Sequence, residues 1–127
     1  MAGTFPQGPL SVACLTDQSS DETLGPWVDV RGCANLVFYC SSTGTTSSGV
    51  ITFEEAAPIF SQATLNPPVF GAATDGYSAI TTLNASVISA GLQVAIHVPV
   101  RAYCYVRARI STAIGGGGTI SVGLVAY

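Results

Sequence analysis

Val100-Arg101-Ala102-Tyr103-Cys104-Tyr105-Val106-Arg107-Ala108-Arg109-Ile110 is the stretch on which the fold of this chain turns. Val100, Ala102, Cys104, Val106, Ala108 and Ile110 are apolar or small, and Arg101, Tyr103, Tyr105, Arg107 and Arg109 alternate with them. Successive side chains of a β-strand point to opposite faces, so this alternation predicts a strand with one buried and one polar face. Cys104 falls on the apolar side and reads as a small core residue.

Residues 119–127 repeat the pattern. Ile120, Val122, Leu124 and Ala126 lie on one face, and Thr119, Ser121, Gly123 and Tyr127 on the other. Gly115-Gly116-Gly117-Gly118 between the two runs predicts a flexible hairpin connection. Residues 92–98 alternate as well, with Gln93 and His97 outward, until Pro99 marks a strand end or an edge. Further strands are predicted at 10–15, 27–31, 35–40, 49–54 and 78–89, the last bent near Asn84. Residues 16–25, with Asp17, Asp21 and Glu22, read as a polar surface loop. Residues 57–76 hold Pro58, Pro67 and Pro68 with Phe60 and Phe70, and read as a long excursion of the kind that is either functional or ordered by a partner. Seven or eight antiparallel strands with one long crossover predict an all-β fold, a single-domain jelly-roll or β-sandwich over 11–127. Residues 1–10, with Phe5 among Gly and Pro, read as an N-terminal arm.

Composition narrows the function. Hydrophobic residues make up 48% of the 127, which excludes intrinsic disorder. Charged residues make up only 9%, against about 25% in an average soluble domain. There is no lysine, and Arg31, Arg101, Arg107 and Arg109 are the four basic residues. Such poverty of charge has two readings: a surface hidden against partners, or one polar through Ser, Thr, Asn and Gly. With net charge −3 and pI near 4.6 the chain lacks the clustered bases that capture nucleic acid, so neither DNA nor RNA is an expected partner. No basic segment followed by an apolar one opens the sequence, and apolar runs fall well short of the ~20 residues of a membrane helix. Synthesis and assembly in a cytoplasm, without a membrane, are expected.

Residues that carry chemistry are sparse. His97 is the single histidine, stands on the polar side of a strand and has no GxSxG nucleophile elbow to serve. Glu54 and Glu55 are adjacent on a strand, so they point apart and cannot flank one bond. Asp17, Asp21 and Glu22 offer calcium-type oxygens at a spacing that matches no calcium loop, and a solvated acidic loop is the preferred reading. The glycine run lacks the lysine of a phosphate loop. Asn84-Ala85-Ser86 is a chance sequon. Cys14, Cys33, Cys40 and Cys104 form no CxxC pair and are expected to be free thiols. No enzyme activity, cofactor or metal is expected. The stripe Arg101, Tyr103, Tyr105, Arg107 and Arg109 is of the composition that interfaces favour. It reads either as a subunit contact, with Arg forks taking a neighbour's carboxylates, or as an exposed sheet face with Tyr–Arg stacking. Phe5, Phe60 and Phe70 are the other candidate contacts.

Gly25-Pro26-Trp27-Val28-Asp29-Val30-Arg31 with Leu36-Val37-Phe38-Tyr39, then Gly49-Val50-Ile51-Thr52-Phe53-Glu54-Glu55-Ala56, and finally residues 105–114 before the glycine turn, resemble stretches of small virion proteins of tailed bacteriophages. The resemblance spans most of residues 25–127 and consists of strand-and-turn patterns. It implies a jelly-roll cement, or decoration, protein on the capsid exterior. Such a protein acts as a dimer or trimer and bridges major capsid protein subunits. It leaves open a tail or head-fibre accessory subunit, while a glycan-binding β-sandwich remains the alternative from another class.

Overall fold

The computed structural model describes residues 10–30, 33–56, 77–88, 93–99 and 105–127. Phe5, Phe60, Phe70, Arg101, Tyr103 and Cys104 lie outside the described residues, as do all but Leu10 of the arm and the whole 57–76 excursion. The chain runs β1 (Leu10–Gln18), β2 (Thr23–Leu24), β3 (Val28–Asp29), β4 (Asn35–Thr43), β5 (Ser48–Ala56), β6 (Tyr77–Asn84), β7 (Gln93–Pro99), β8 (Tyr105–Gly115) and β9 (Thr119–Ala126), with a 3-10 turn at Ala85–Val87.

Two antiparallel sheets form. One has the order β1-β9-β4-β7; in the other β8 lies between β5 and the short β2 and β3, and β6 flanks β5. Counting β2 and β3 as one interrupted strand, the orders are 1-8-3-6 and 2-7-4-5, the double Greek-key wiring of a jelly roll. The all-β sandwich read from the alternation is therefore the fold of the chain.

The alternation translates into burial. In β9, Ile120, Val122, Leu124 and Ala126 are at most 1% exposed, and each residue between them is partly open. Leu36, Phe38 and Cys40 of β4 meet Ile51 and Phe53 of β5 across the gap between sheets. The Phe38 and Phe53 rings lie 4.5 Å apart, tilted by 38°, at the centre of the core. Burying each such side chain contributes roughly 1.5–3 kcal/mol. Thr46, in the β4–β5 crossing, aims Oγ1 at the carbonyls of Ala85 (3.0 Å) and Ile88 (2.9 Å) and so holds the 3-10 turn against the core.

Four expectations change. Gly115–Gly118 is no hairpin: β8 and β9 belong to different sheets, and the glycines turn a corner between them. Gly118 N–H donates to Thr45 O at 2.7 Å and Ser47 N–H to Gly115 O at 2.8 Å, so the two crossings between sheets are bonded to each other. Part of the 16–25 loop is strand, because β1 continues to Gln18 opposite Ile120 and β2 pairs with Ile110 and Arg109. The strand predicted to bend near Asn84 ends there in the 3-10 turn. The decisive strand runs past Ile110 to Gly115, its described part starting at Tyr105. Pro99 does end β7, which is an edge among the described strands. Leu10 pairs with Ala126, so β1 begins at the last residue assigned to the arm.

Candidate functional site

The polar face of β8 is buried rather than exposed. β5 and β8 are in register with Phe53 opposite Ala108 and Glu54 opposite Arg107, which turns Glu54, Arg107 and Arg109 away from the core onto one shared face. There Glu54 is 1% exposed, Tyr105 4% and Arg107 9%. Arg107 Nε donates to Glu54 Oε1 at 2.8 Å, and Arg109 Nε donates to Glu54 Oε2 at 3.2 Å. Arg109 Nη1 also reaches Glu22 at 3.1 Å, and the Trp27 ring covers the Arg107 guanidinium at 4.3 Å. The network thus runs Trp27–Arg107–Glu54–Arg109–Glu22. Gly25 lets its outer part approach: its N–H donates to Ala108 O at 2.8 Å, and a Cβ at position 25 would sit 2.7 Å from that same oxygen. The Gly25-Pro26-Trp27 stretch therefore delivers Trp27 onto Arg107.

Of the candidate contacts, Tyr105, Arg107 and Arg109 are described, and the structure brings them together. The arginines' carboxylate partners are Glu54 and Glu22 of the same chain rather than a neighbour's acids. Sequence reasoning misses Glu54 as their partner. The available signal is that Glu54 alternates with Phe53 and so stands on the strand face away from the core, with a basic stripe elsewhere to answer it. Glu55 faces the opposite side, across from Val106. His97 is exposed on β7 opposite Val37. Asp17, Asp21 and Glu22 do not gather; among the described residues no three His, Cys, Asp or Glu are placed to hold a metal ion.

Cys14, Cys33 and Cys40 are free and buried. Cys14 precedes Leu15, which pairs with Val122, and Cys40 pairs with Val122 from the other side. Two strand spacings, about 9.6 Å, separate the β1 and β4 backbones. That exceeds the ~7 Å a disulfide can span. Burial pushes the Cys14 thiol up to about 11. Burial, and then the neighbouring Cys14, push Cys40 up to about 12. The unfolded chain releases these protons near 9.0 while the folded chain keeps them to about 11 and 12. The folded state binds more protons over that window, so stability is full below pH 9 and is lost as pH rises through it. Urea midpoints measured from pH 8 to 11 should fall steadily above 9. Iodoacetamide at pH 8, mapped by mass spectrometry, should leave Cys14 and Cys40 unmodified until urea unfolds the chain.

Compared with family models, with curated protein sequences and with solved structures, the chain finds no match in any of the three.

Proposed function

We propose that the chain is a structural subunit of a tailed-bacteriophage particle, a cement protein that seats on the outside of the head and bridges major capsid protein subunits. The resemblance of residues 25–56 and 105–114 to small phage virion proteins supports this, as does the jelly-roll wiring. The observation that carries the reading is the handling of charge. The sequence has four basic and seven acidic residues, and Glu22, Glu54, Arg107 and Arg109 among them neutralise one another within the chain. A surface left so poor in charge suits contact with other subunits better than life as a solitary soluble monomer.

The mechanism is one of assembly. A cement protein that binds only the expanded shell lowers the free energy of that state and holds it by mass action. Repeated symmetric copies, each a dimer or trimer, multiply a modest affinity by avidity. Copy number on purified particles tests the reading. Hundreds of copies on the head are expected; a few dozen or fewer would assign the chain to a tail or head fibre instead. Deleting residues 2–9, which leaves β1 intact from Leu10, is expected to lower occupancy of the head without changing the melting temperature.

A further inference from the structure

We propose that the outer face of the β1-β9-β4-β7 sheet is a self-association surface, on which a second copy of this chain packs face to face about a two-fold axis along the sheet's midline, between β9 and β4. This deepens the reading above, resting on the self-association in it and not on the capsid.

The face is open and almost free of charge. Asp17 is the one Asp, Glu, Lys or Arg on the four described strands of this sheet, and it stands at a corner, held by Ser121 and Thr119. In the other sheet β5 and β8 carry Glu54, Glu55, Arg107 and Arg109. Tyr127 exchanges backbone hydrogen bonds with Asn35 and so continues the outer face beyond Val125. Tyr39 is 37% exposed and Tyr127 52%, two of the four large hydrophobics left exposed among the described residues. Ser11, Ala13, Ala95 and His97 are exposed on the same face. Tyrosines among small uncharged residues are the composition of an interface core.

The register supplies the symmetry. Across the sheet one row reads Ala13, Gly123, Tyr39, Ala95, and the next reads Ser11, Val125, Val37, His97. β9 and β4 are the central strands, so the midline passes between Gly123 and Tyr39. A two-fold along it lays β9 of each copy on β4 of the other, and β1 on β7. Tyr39 of each copy then stands over Gly123 of the other, Val125 over Val37, and Ala13 over Ala95. A Cβ at Gly123 would meet nothing nearer than Val12 O at 3.8 Å, so that place is open to receive a ring. Sheets packed face to face lie about 10 Å apart. The one bulky side chain of its row meets the one residue without a side chain, which is the self-complementarity that a two-fold interface requires.

Extent fixes how the copies must meet. Four strands wide and as long as residues 119–127, the face measures about 19 by 30 Å, or ~570 Å² before side-chain relief is counted. A standard interface takes about 600 Å² or more from each partner. A stable dimer therefore has to use the whole face, and the midline axis covers four strands with four. An axis across the strands also covers the face, but it lays β4 on β4, which has no glycine to receive Tyr39. Edge-to-edge pairing through β1 or β7 would leave Tyr39 and Gly123 in water.

The test is sedimentation of the whole chain from roughly 1 to 500 µM, which should show a monomer–dimer equilibrium. Over the same range the amide shifts of Ala13, Tyr39, Ala95 and Gly123 should move together. Tyr39→Ala should weaken the dimer roughly thirtyfold, the loss of one central anchor. Gly123→Tyr, for which the monomer has room, should abolish it while dilute protein still melts cooperatively. Combining Tyr39→Ala with Gly123→Tyr carries the ring across the midline and should restore the dimer, a rescue that follows from this axis alone. The proposal is overturned by a monomer up to roughly 1 mM, by a trimer, by a dimer indifferent to Gly123→Tyr, or by shifts confined to β1 or β7, which would mean edge pairing. Hundreds of copies on the head beside a monomer in solution would overturn this surface and leave the capsid reading standing.

Discussion

Glu54→Gln is expected to lower the free energy of unfolding by about 3 kcal/mol, the order found when one member of a buried ion pair is removed. Glutamine keeps the shape and one acceptor, so the effect isolates the charge. Arg107, 9% exposed and 2.8 Å from Oε1, then faces a neutral amide. Arg109 suffers less, because Glu22 still reaches its Nη1. Chemical denaturation gives the loss directly, and for a chain of this size it corresponds to a fall in Tm of roughly 10 °C. Glu22→Gln is the control. Its carboxylate is 68% exposed, so the change should stay below ~1 kcal/mol. A loss below ~1 kcal/mol for Glu54→Gln as well would mean that water reaches the network and that its charges are solvated rather than paired. The double variant Glu54→Met with Arg107→Met should recover much of the loss, since replacing a whole buried pair by apolar groups is often near neutral. Failure to recover would show that the pair sets the β5–β8 register and not merely its own neutrality.

The fold was legible because it rests on local pattern. Val106, Ala108 and Ile110, and then Ile120 to Ala126, alternate with the period of two that a half-buried strand demands, and each is buried where the pattern put it. What each strand pairs with is not local. Gly115–Gly118 looks like a hairpin in sequence because adjacent strands commonly pair. In a jelly roll, however, β8 is claimed by β5 on one sheet and β9 by β4 and β1 on the other.

The sites were legible only in part for the same reason. Arg107 and Arg109 stood out as a polar stripe, but whether a stripe faces water depends on residues distant in sequence. Glu54 lies 53 and 55 positions away, and Trp27 arrives through the Gly25 approach to β8. Alternation counts faces; it does not say that both faces of one strand are covered. The end of β1 around Asp17 was lost in a stretch read as a loop, because a ladder that slips leaves no period to detect.

Gly118→Ala is expected to cost about 2–4 kcal/mol, the scale of forced overpacking against a fixed wall. A Cβ there would fall 2.5 Å from Thr45 O and 2.6 Å from Thr43 O. Both are backbone atoms, so relief requires the β4–β5 crossing to withdraw. Withdrawal breaks the Gly118 N–H bond to Thr45 O and strains the matching bond from Ser47 to Gly115 O. The loss is therefore shared by both corners that carry the chain between sheets. Gly117→Ala separates this effect from the generic one. Gly117 has φ at +86°, and a methyl group there would meet nothing within 4 Å. Only the backbone conformation resists that change, at about 1–2 kcal/mol. Urea midpoints for the two variants should therefore differ clearly, with Gly118→Ala the lower. Equal midpoints would mean that the corner is loose and that its glycines serve flexibility alone. A clear gap makes Gly118 a packing device: the corner between sheets is closed there by contact of one crossing backbone on the other, and a side chain is excluded because there is no room for it, while Gly117 serves the turn's backbone conformation alone.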